Sequence, residues 1–445
     1  MDRVCVIGAG SSGIASCQVL DARGIPFDCF EKGSGVGGNW RYGNDNGMSS
    51  AYESLHINTS RPMMQYATYP MPDDYPDFPN HRQIAAYFDA YVDHFGFRDK
   101  IRFNTEVTRV ERADDGGWDV TLDDGSTHRY RAVMVANGHH WNPRYPEPPF
   151  AGEFDGEAVH AHHYRTPAGY EGKNVLVLGF GNSAMDIAVE TSRVANMTFL
   201  AVRRGFHVIP KYLQGKPLDQ LSNPITRRLP FMWTVKLFEK AIARSFGRPE
   251  DYGLPTPDHR LGQAHPTVSS DILTRLGHGD ITVKPNIERL EGDRVRFVDG
   301  TVEQIDRIVW CTGYKIAFPF LDDELVPTRD NRVRLYRRVV HPDLPGLYFI
   351  GLIQPLGAIM PIAELQSEWI ADLLEGKAGL PSRERMYASI ERDDRKLKKR
   401  YVASKRHTIQ VDFFEYLREL RRERRRKPRG GSRSSAAPRR EPAHA

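Results

Sequence analysis

Two glycine runs carry the first chemical signal. Gly8-Ala9-Gly10-Ser11-Ser12-Gly13 has glycine at its first, third and sixth places, and Gly179-Phe180-Gly181-Asn182-Ser183-Ala184 repeats the pattern with alanine last. In such a run the first glycine permits a tight turn out of a strand. The second lets a pyrophosphate reach the backbone, and the third lets helix pack on strand. The helix opening there offers free N–H groups and a partial positive charge to phosphate. An acid, Glu31, stands 23 residues after Gly8, where a carboxylate can accept from both ribose hydroxyls. At the matching place after the second run stand Arg203 and Arg204. An acid there would repel a 2′-phosphate, whereas a guanidinium pairs with it bidentately, so the second site is expected to take NADPH over NADH.

The flanking residues supply the elements that such loops need. Arg3 to Ile7 reads as a strand, Ile14 to Leu20 as a helix and Phe27 to Phe30 as a second strand, a βαβ unit of about thirty residues. Asn174 to Leu178, Met185 to Val194 and Met197 to Val202 repeat it. The repeat runs deeper: Ile101 to His139 and Ile281 to Tyr314 each read as a β-meander followed by an apolar strand, closing at Asn137-Gly138 and Thr312-Gly313. Two copies of one nucleotide-binding design is the economical reading. Trp141 to Pro149, with four prolines, reads as a crossover between the halves. Leu213 to Arg260 interrupts the second half. Within it Thr226 to Phe246 reads as an amphipathic helix with basic residues beside Phe231, Trp233, Leu237 and Phe238. Packing of its aromatic face is the plain expectation, and a peripheral membrane contact the sharper one.

The fold class expected is α/β with two Rossmann-like dinucleotide-binding domains, the first discontinuous because the second is inserted into it. The divisions are 1–165 and 315–420 for the first domain, 166–314 for the second with the insertion at 213–260, and a disordered basic tail at 421–445. A chain of 445 residues fits such a count. The net charge of +5 is unevenly held: residues 421–445 carry +8 and the remainder −3. The basic pI therefore belongs to the tail, read as solvated rather than as a nucleic-acid site. Cys5, Cys17, Cys29 and Cys311 form no CxxC and no metal-ligand spacing. That speaks against a metal centre and a dithiol reductase, and for a reducing compartment. A strand starting at Arg3 leaves no room for a leader peptide, and Leu347 to Leu365 is interrupted by Gln354, Pro355 and Pro361. A cytoplasmic protein without an integral membrane anchor is expected.

From Phe154 to Arg165 the chain reads Phe-Asp-Gly-Glu-Ala-Val-His-Ala-His-His-Tyr-Arg. This resembles the signature FxGxxxHxxxY plus a basic residue of the flavin-containing monooxygenases, carried by Phe154, Gly156, His160, Tyr164 and Arg165. The sister Baeyer–Villiger enzymes typically have Trp-Pro or Trp-Asp where Tyr164-Arg165 stands. Gly35 to Arg41, with Gly38, Asn39 and Trp40, looks like the family's second FAD loop. Ile57-Asn58-Thr59-Ser60, Pro72 to Pro76, Tyr252-Gly253-Leu254, His265-Pro266-Thr267, Thr312-Gly313-Tyr314 and Gly351-Leu352-Ile353-Gln354 also match, and the likeness runs to about residue 420. Asn137-Gly138 stands where the family usually has Thr-Gly or Ser-Gly, and the hydrophobic C-terminal anchor of the animal enzymes is replaced by the arginine-rich tail.

The resemblance implies FAD at the first loop and NADPH at the second. NADPH would reduce the flavin, and O2 would add at its C4a carbon to give a hydroperoxide that oxygenates a soft nitrogen or sulfur nucleophile. Baeyer–Villiger ketone oxidation and amine N-hydroxylation are the nearest alternatives, and a nucleotide-binding sensor the alternative from another class. The reactive species belongs to the cofactor, so no triad, carboxylate pair or metal is required. Asn58 is the catalytic candidate, an amide able to donate to the peroxide while accepting elsewhere. Thr59, Trp40 and Gln354 are expected beside the flavin. His160, Tyr164 and Arg165 are expected at the hinge between domains, and His139 and His140 as crossover surface. A homodimer is the commonest assembly for such a chain.

Overall fold

The computed structural model describes residues 2–221, 231–401 and 408–428. Strand β1 (Val4–Ile7) is wholly buried and leads through the glycine turn into helix α1 (Ser11–Ala22), which returns to β2 (Phe27–Phe30). The first sheet is parallel throughout, in the order Leu347–Phe349, Ala132–Val135, β1, β2, Ile101–Arg102. Its fifth strand comes from far down the chain, so the first domain is discontinuous. Helix α1 is buried from Gly13 to Leu20 because it lies between that sheet and helix Met360–Leu374, where Ser16 and Ser367 share a hydrogen bond of 2.9 Å.

The second sheet has the same order read from its other edge: Ile281–Lys284, β4 (Met197–Ala201), β3 (Asn174–Leu178), Arg307–Trp310, Glu157–His160, again all parallel. Helix α2 (Asn182–Thr191) joins β3 to β4. Here the fifth strand precedes the glycine loop instead of following it. Strand Ala151–Phe154 likewise pairs with Ile287–Gly292 of the second meander. The boundary expected at 165 is therefore corrected to about residue 150: the signature segment forms the edge of the second sheet. The two crossovers between domains run side by side, Arg144 N–H donating to Gly313 O at 2.9 Å and Lys315 N–H to Asn142 O at 2.8 Å.

Two further expectations are corrected. The insertion is not purely helical, since Tyr212–Leu213 and Lys216–Pro217 form a hairpin before helix α3 (Phe231–Phe246). Residues 222–230, where the expected helix would start, lie outside the described residues. The buried face of α3 is Val235 and Ile242, packed with Leu261, Ile209 and Leu218, while Trp233 and Leu237 are 70% and 60% exposed. The basic tail does not begin at 421. A helix runs from Phe413 to Arg424, held by Arg424 Nε on Asp372 at 2.6 Å, by its pairing with Glu368, and by Arg426 on Glu423 at 2.7 Å. Residues 429–445 lie outside the described residues. Among the described residues no helix is long and apolar enough to cross a membrane.

Candidate functional site

A cavity of about 660 Å3 opens between the two domains. Its floor is the first glycine loop, where each glycine has a separate physical reason. Gly8 has φ +95°, and a Cβ there would stand 2.9 Å from Ala136 O. A Cβ on Gly13 would fall 1.7 Å from Gly8 O, so helix and strand could not approach as they do. On Gly10 the nearest atom to a Cβ would be Gly38 Cα at 3.7 Å, so packing does not demand glycine at this position on the cavity wall. This cradle fits a pyrophosphate at the N-terminus of α1, with Ser11 and Ser12 also on the cavity wall.

Glu31 reaches the same cavity at the end of β2. Its Oε2 accepts the Ala9 N–H at 2.7 Å, and Oε1 accepts Gly33 N–H at 2.8 Å and Asn46 Nδ2 at 3.0 Å. A carboxylate has about four lone-pair sites, so capacity remains for a hydroxyl. Gly38, Trp40, Asn58, Thr59 and Gln354 line the cavity too. Asn39 also borders it, but its amide is turned away: Oδ1 accepts from Ser50 N–H and Ser50 Oγ, both at 2.8 Å. It ties the turn before Trp40 to Ser49 and Ser50.

Of the second loop only Asn182 lines this cavity, its Oδ1 accepting Val268 N–H at 2.9 Å. Gly179 has φ +139°, and a Cβ there would meet Cys311 O at 2.5 Å. Gly181 caps α2 in extended conformation, Ser183 lies in its first turn, and Ala184 is fully buried where Gly13 stands in the first domain. Arg204 places its guanidinium 5.6 Å from the centre of the Phe180 ring, beside the loop, with a buried Nε that has no hydrogen-bond partner. Arg203 is exposed.

The signature lies outside the cavity lining. Gly156 is required because a Cβ would stand 2.4 Å from Asp306 O, and Phe154 packs into the core beneath the second sheet. His160 is fully buried between Tyr145 and Tyr314; its Nδ1 accepts His162 N–H at 3.0 Å, and burial first, then His162, pulls its pKa down to about 4. Tyr164 donates to Glu190 on α2 at 2.8 Å. Arg165 donates to Ser49 O at 2.9 Å, and its own carbonyl accepts Glu53 N–H at 2.8 Å.

Several cavity groups escaped the sequence reading. His139 and His140, expected as crossover surface, line the cavity, and burial holds His139 well below its ordinary pKa. Outside the cavity lining, Tyr52 donates to Asp186 on α2 at 2.5 Å, and burial pushes Asp186 up to about 6 against the opposing pull of Tyr52 and Lys211. Lys211, just before the insertion, and Asp219 within it also line the cavity, and burial lowers the first and raises the second. The insertion also supplies Val235, Phe238 and Ile242 to an apolar wall that Leu261, just after it, completes. No motif marks these residues. Only the alternation of apolar positions in α3 could have pointed to that wall. Among the described residues no cluster of side chains suits a metal ion.

Two glycine cradles flanking one cavity, with a carboxylate at the first and an arginine at the second, define a two-dinucleotide oxidoreductase. The family described as Flavin-binding monooxygenase-like matches residues 1–431, and the chain belongs to it. It is 39% identical over 440 residues to flavin-containing monooxygenase 5 of Homo sapiens, covering 94% of this chain and 82% of that protein. Against dimethylaniline monooxygenase [N-oxide-forming] 2 of Rattus norvegicus it is 37% identical over 446 residues, covering 96% and 83%. Among solved structures, S-allyl-L-cysteine S-oxygenase from Allium sativum superposes with a TM-score of 0.72 at 26% identity, covering 96% of this chain and 89% of that one. The chain is thus an FAD-dependent monooxygenase that draws its electrons from NADPH.

Proposed function

We propose that this enzyme oxygenates small soft nucleophiles, thioethers and tertiary amines, in the apolar end of the cavity beside Asn58. The observation that carries the reading is the convergence of three parts on one cavity: the first cradle, the Asn58-Thr59 turn and the apolar wall of the insertion. FAD bound at the first cradle, once reduced by NADPH, supplies the activation of O2. The chain's own part is placement and dryness. Gly10, Ser11 and Ser12 receive the pyrophosphate and Glu31 a ribose, while Trp40 and Gln354 flank the ring system and Asn58 offers it an amide. Asn182 and Arg204 serve NADPH, with Arg203 at the strand end. Val235, Phe238, Ile242 and Leu261 receive the apolar arm of the substrate and exclude water. Arg165 ties the domains through Ser49 O, and Tyr164-Arg165, where Baeyer–Villiger enzymes typically have Trp-Pro or Trp-Asp, favours N- and S-oxygenation over ketone oxidation. The four free thiols suit a cytoplasmic location, checked by cell fractionation.

The test is NADPH oxidation by the purified enzyme with a thioether, a tertiary amine and a cyclic ketone, with products identified by mass. Sulfoxide and N-oxide matching the NADPH consumed support the proposal. Ester from the ketone with neither of the others would replace it by the Baeyer–Villiger reading.

A further inference from the structure

Asn58 reaches the cavity on a short irregular turn, and such a turn does not hold an amide in place by itself. The insertion and the residue leading into it grip it on both flanks. Asp219 Oδ2 accepts Ser60 N–H at 2.7 Å, and Gln220 Nε2 donates to Ser60 Oγ at 3.0 Å. On the other side Lys211 Nζ donates to Ile57 O at 3.4 Å while its ammonium lies 5.0 Å from the centre of the Phe78 ring. Lys211 and Asp219 are themselves held at fixed spacing by the hairpin Tyr212–Leu213/Lys216–Pro217, closed by Leu218 N–H on Lys211 O at 2.9 Å. Asp219 is mostly buried, its Oδ1 makes no hydrogen bond within the protein, and burying a carboxylate costs folding free energy.

We propose that Asp219, with Lys211, is a positioning residue that sets the Asn58 amide through the backbone of residues 57–60. The inference rests on the monooxygenase reading and on Asn58 facing the flavin. Its consequence is chemical: a misplaced amide lets activated oxygen leave as peroxide, so coupling of NADPH to product falls while binding of both cofactors stays. The same hairpin leads into the segment that builds the apolar wall, so the part of the chain that receives substrate is continuous with the part that places the amide.

The experiment measures peroxide released per NADPH consumed, with a thioether as substrate, for Asp219→Ala, Asn58→Leu and the double variant, alongside FAD content and the KM for NADPH. Asp219→Ala is expected to raise the peroxide fraction at least about threefold at unchanged FAD content and KM, and the double variant to match Asn58→Leu, since residues acting through one group are not additive. Asp219→Asn, which keeps an acceptor for Ser60 N–H, should restore coupling. If the alanine variant loses FAD, Asp219→Glu, which moves the acceptor by one methylene, gives the same reading. Normal coupling in Asp219→Ala, or a double variant whose effect is the product of the two, overturns the proposal. Normal coupling in Asn58→Leu overturns it together with the role given to Asn58, whereas absence of any oxygenated product from the unaltered enzyme would instead remove the monooxygenase reading.

Discussion

Gly10 and Gly13 stand three residues apart in one loop, yet substitution by alanine should fail for opposite reasons. At Gly13 the new methyl would lie 1.7 Å from Gly8 O, inside the backbone that joins β1 to α1. The helix must move, and overpacking of that kind costs about 1–3 kcal/mol or more. At Gly10 the backbone has φ −74° and ψ −174°, open to any residue, and the methyl would have nothing nearer than 3.7 Å. The FAD-free protein should therefore keep its stability within about 0.5 kcal/mol, as substitutions away from packed features do. The methyl would instead stand where the pyrophosphate must approach. Losing one hydrogen bond to a charged group costs about 1.5–3 kcal/mol, which is a roughly 10- to 150-fold weaker Kd for FAD. Flavin titration by fluorescence and urea unfolding without FAD measure the two quantities separately. Gly10→Ala binding FAD as tightly as the parent, or unfolding as early as Gly13→Ala, would refute the assignment of Gly10 to the ligand and Gly13 to the fold.

Replacing Arg203 and Arg204 together by Ala should lower the NADPH-to-NADH preference in kcat/KM by about 10- to 100-fold, the value of a charge-assisted pair, and an unchanged ratio would refute their role. Asp186 gives a pH signature. Its folded pKa of about 6 lies above the unfolded value, so the folded state holds the extra proton and wild-type stability from this group is lost as pH rises from about 4 to 6. Asp186→Asn, whose amide oxygen still accepts from Tyr52, should become progressively more stable than wild type across that window, by up to about 2–3 kcal/mol; parallel urea midpoints at pH 4, 5 and 6 would contradict it. Arg424→Ala removes the arginine paired with Glu368 and one of the two paired with Asp372, part-buried carboxylates on the helix beside α1, and should cost about 1–3 kcal/mol. A denaturant midpoint equal to the parent's would show the helix end to be dispensable.

The parallel cores were legible because buried strands are short apolar runs bounded by glycine, as in Val4–Ile7, Ala132–Val135 and Asn174–Leu178, and the strand ends then place the ligand loops. Ala151–Phe154 and Glu157–His160 were not, because most of their residues are exposed, and an exposed edge strand shows neither an apolar run nor alternation. The face of α3 was ambiguous in the sequence, since apolar residues fall on both sides of it. Only the packing partners Ile209, Leu218 and Leu261 decide that Val235 and Ile242 turn inward. Arg424 looked like tail because its neighbours are arginines; its partners lie more than 50 residues away. Asp219 and Lys211 carry no local pattern at all. Their effect on residues 57 and 60 exists only after two distant stretches meet.

The origin of the fifth strand in each sheet sets an order of events during synthesis. The second sheet needs nothing beyond Trp310, and all its strands lie between Glu157 and that residue. The first sheet begins at Val4 but lacks its outer strand until Phe349 is made, and α1 lacks its packing helix until Leu374. The N-terminal half therefore leaves the ribosome first and completes last. At synthesis rates of about 5–20 residues per second, the buried strand β1 and the apolar side of α1 wait tens of seconds, and the finished inserted domain stands beside them as they do. A nascent chain stopped after residue 340 should already protect residues 157–310 from protease while residues 4–30 are still cut.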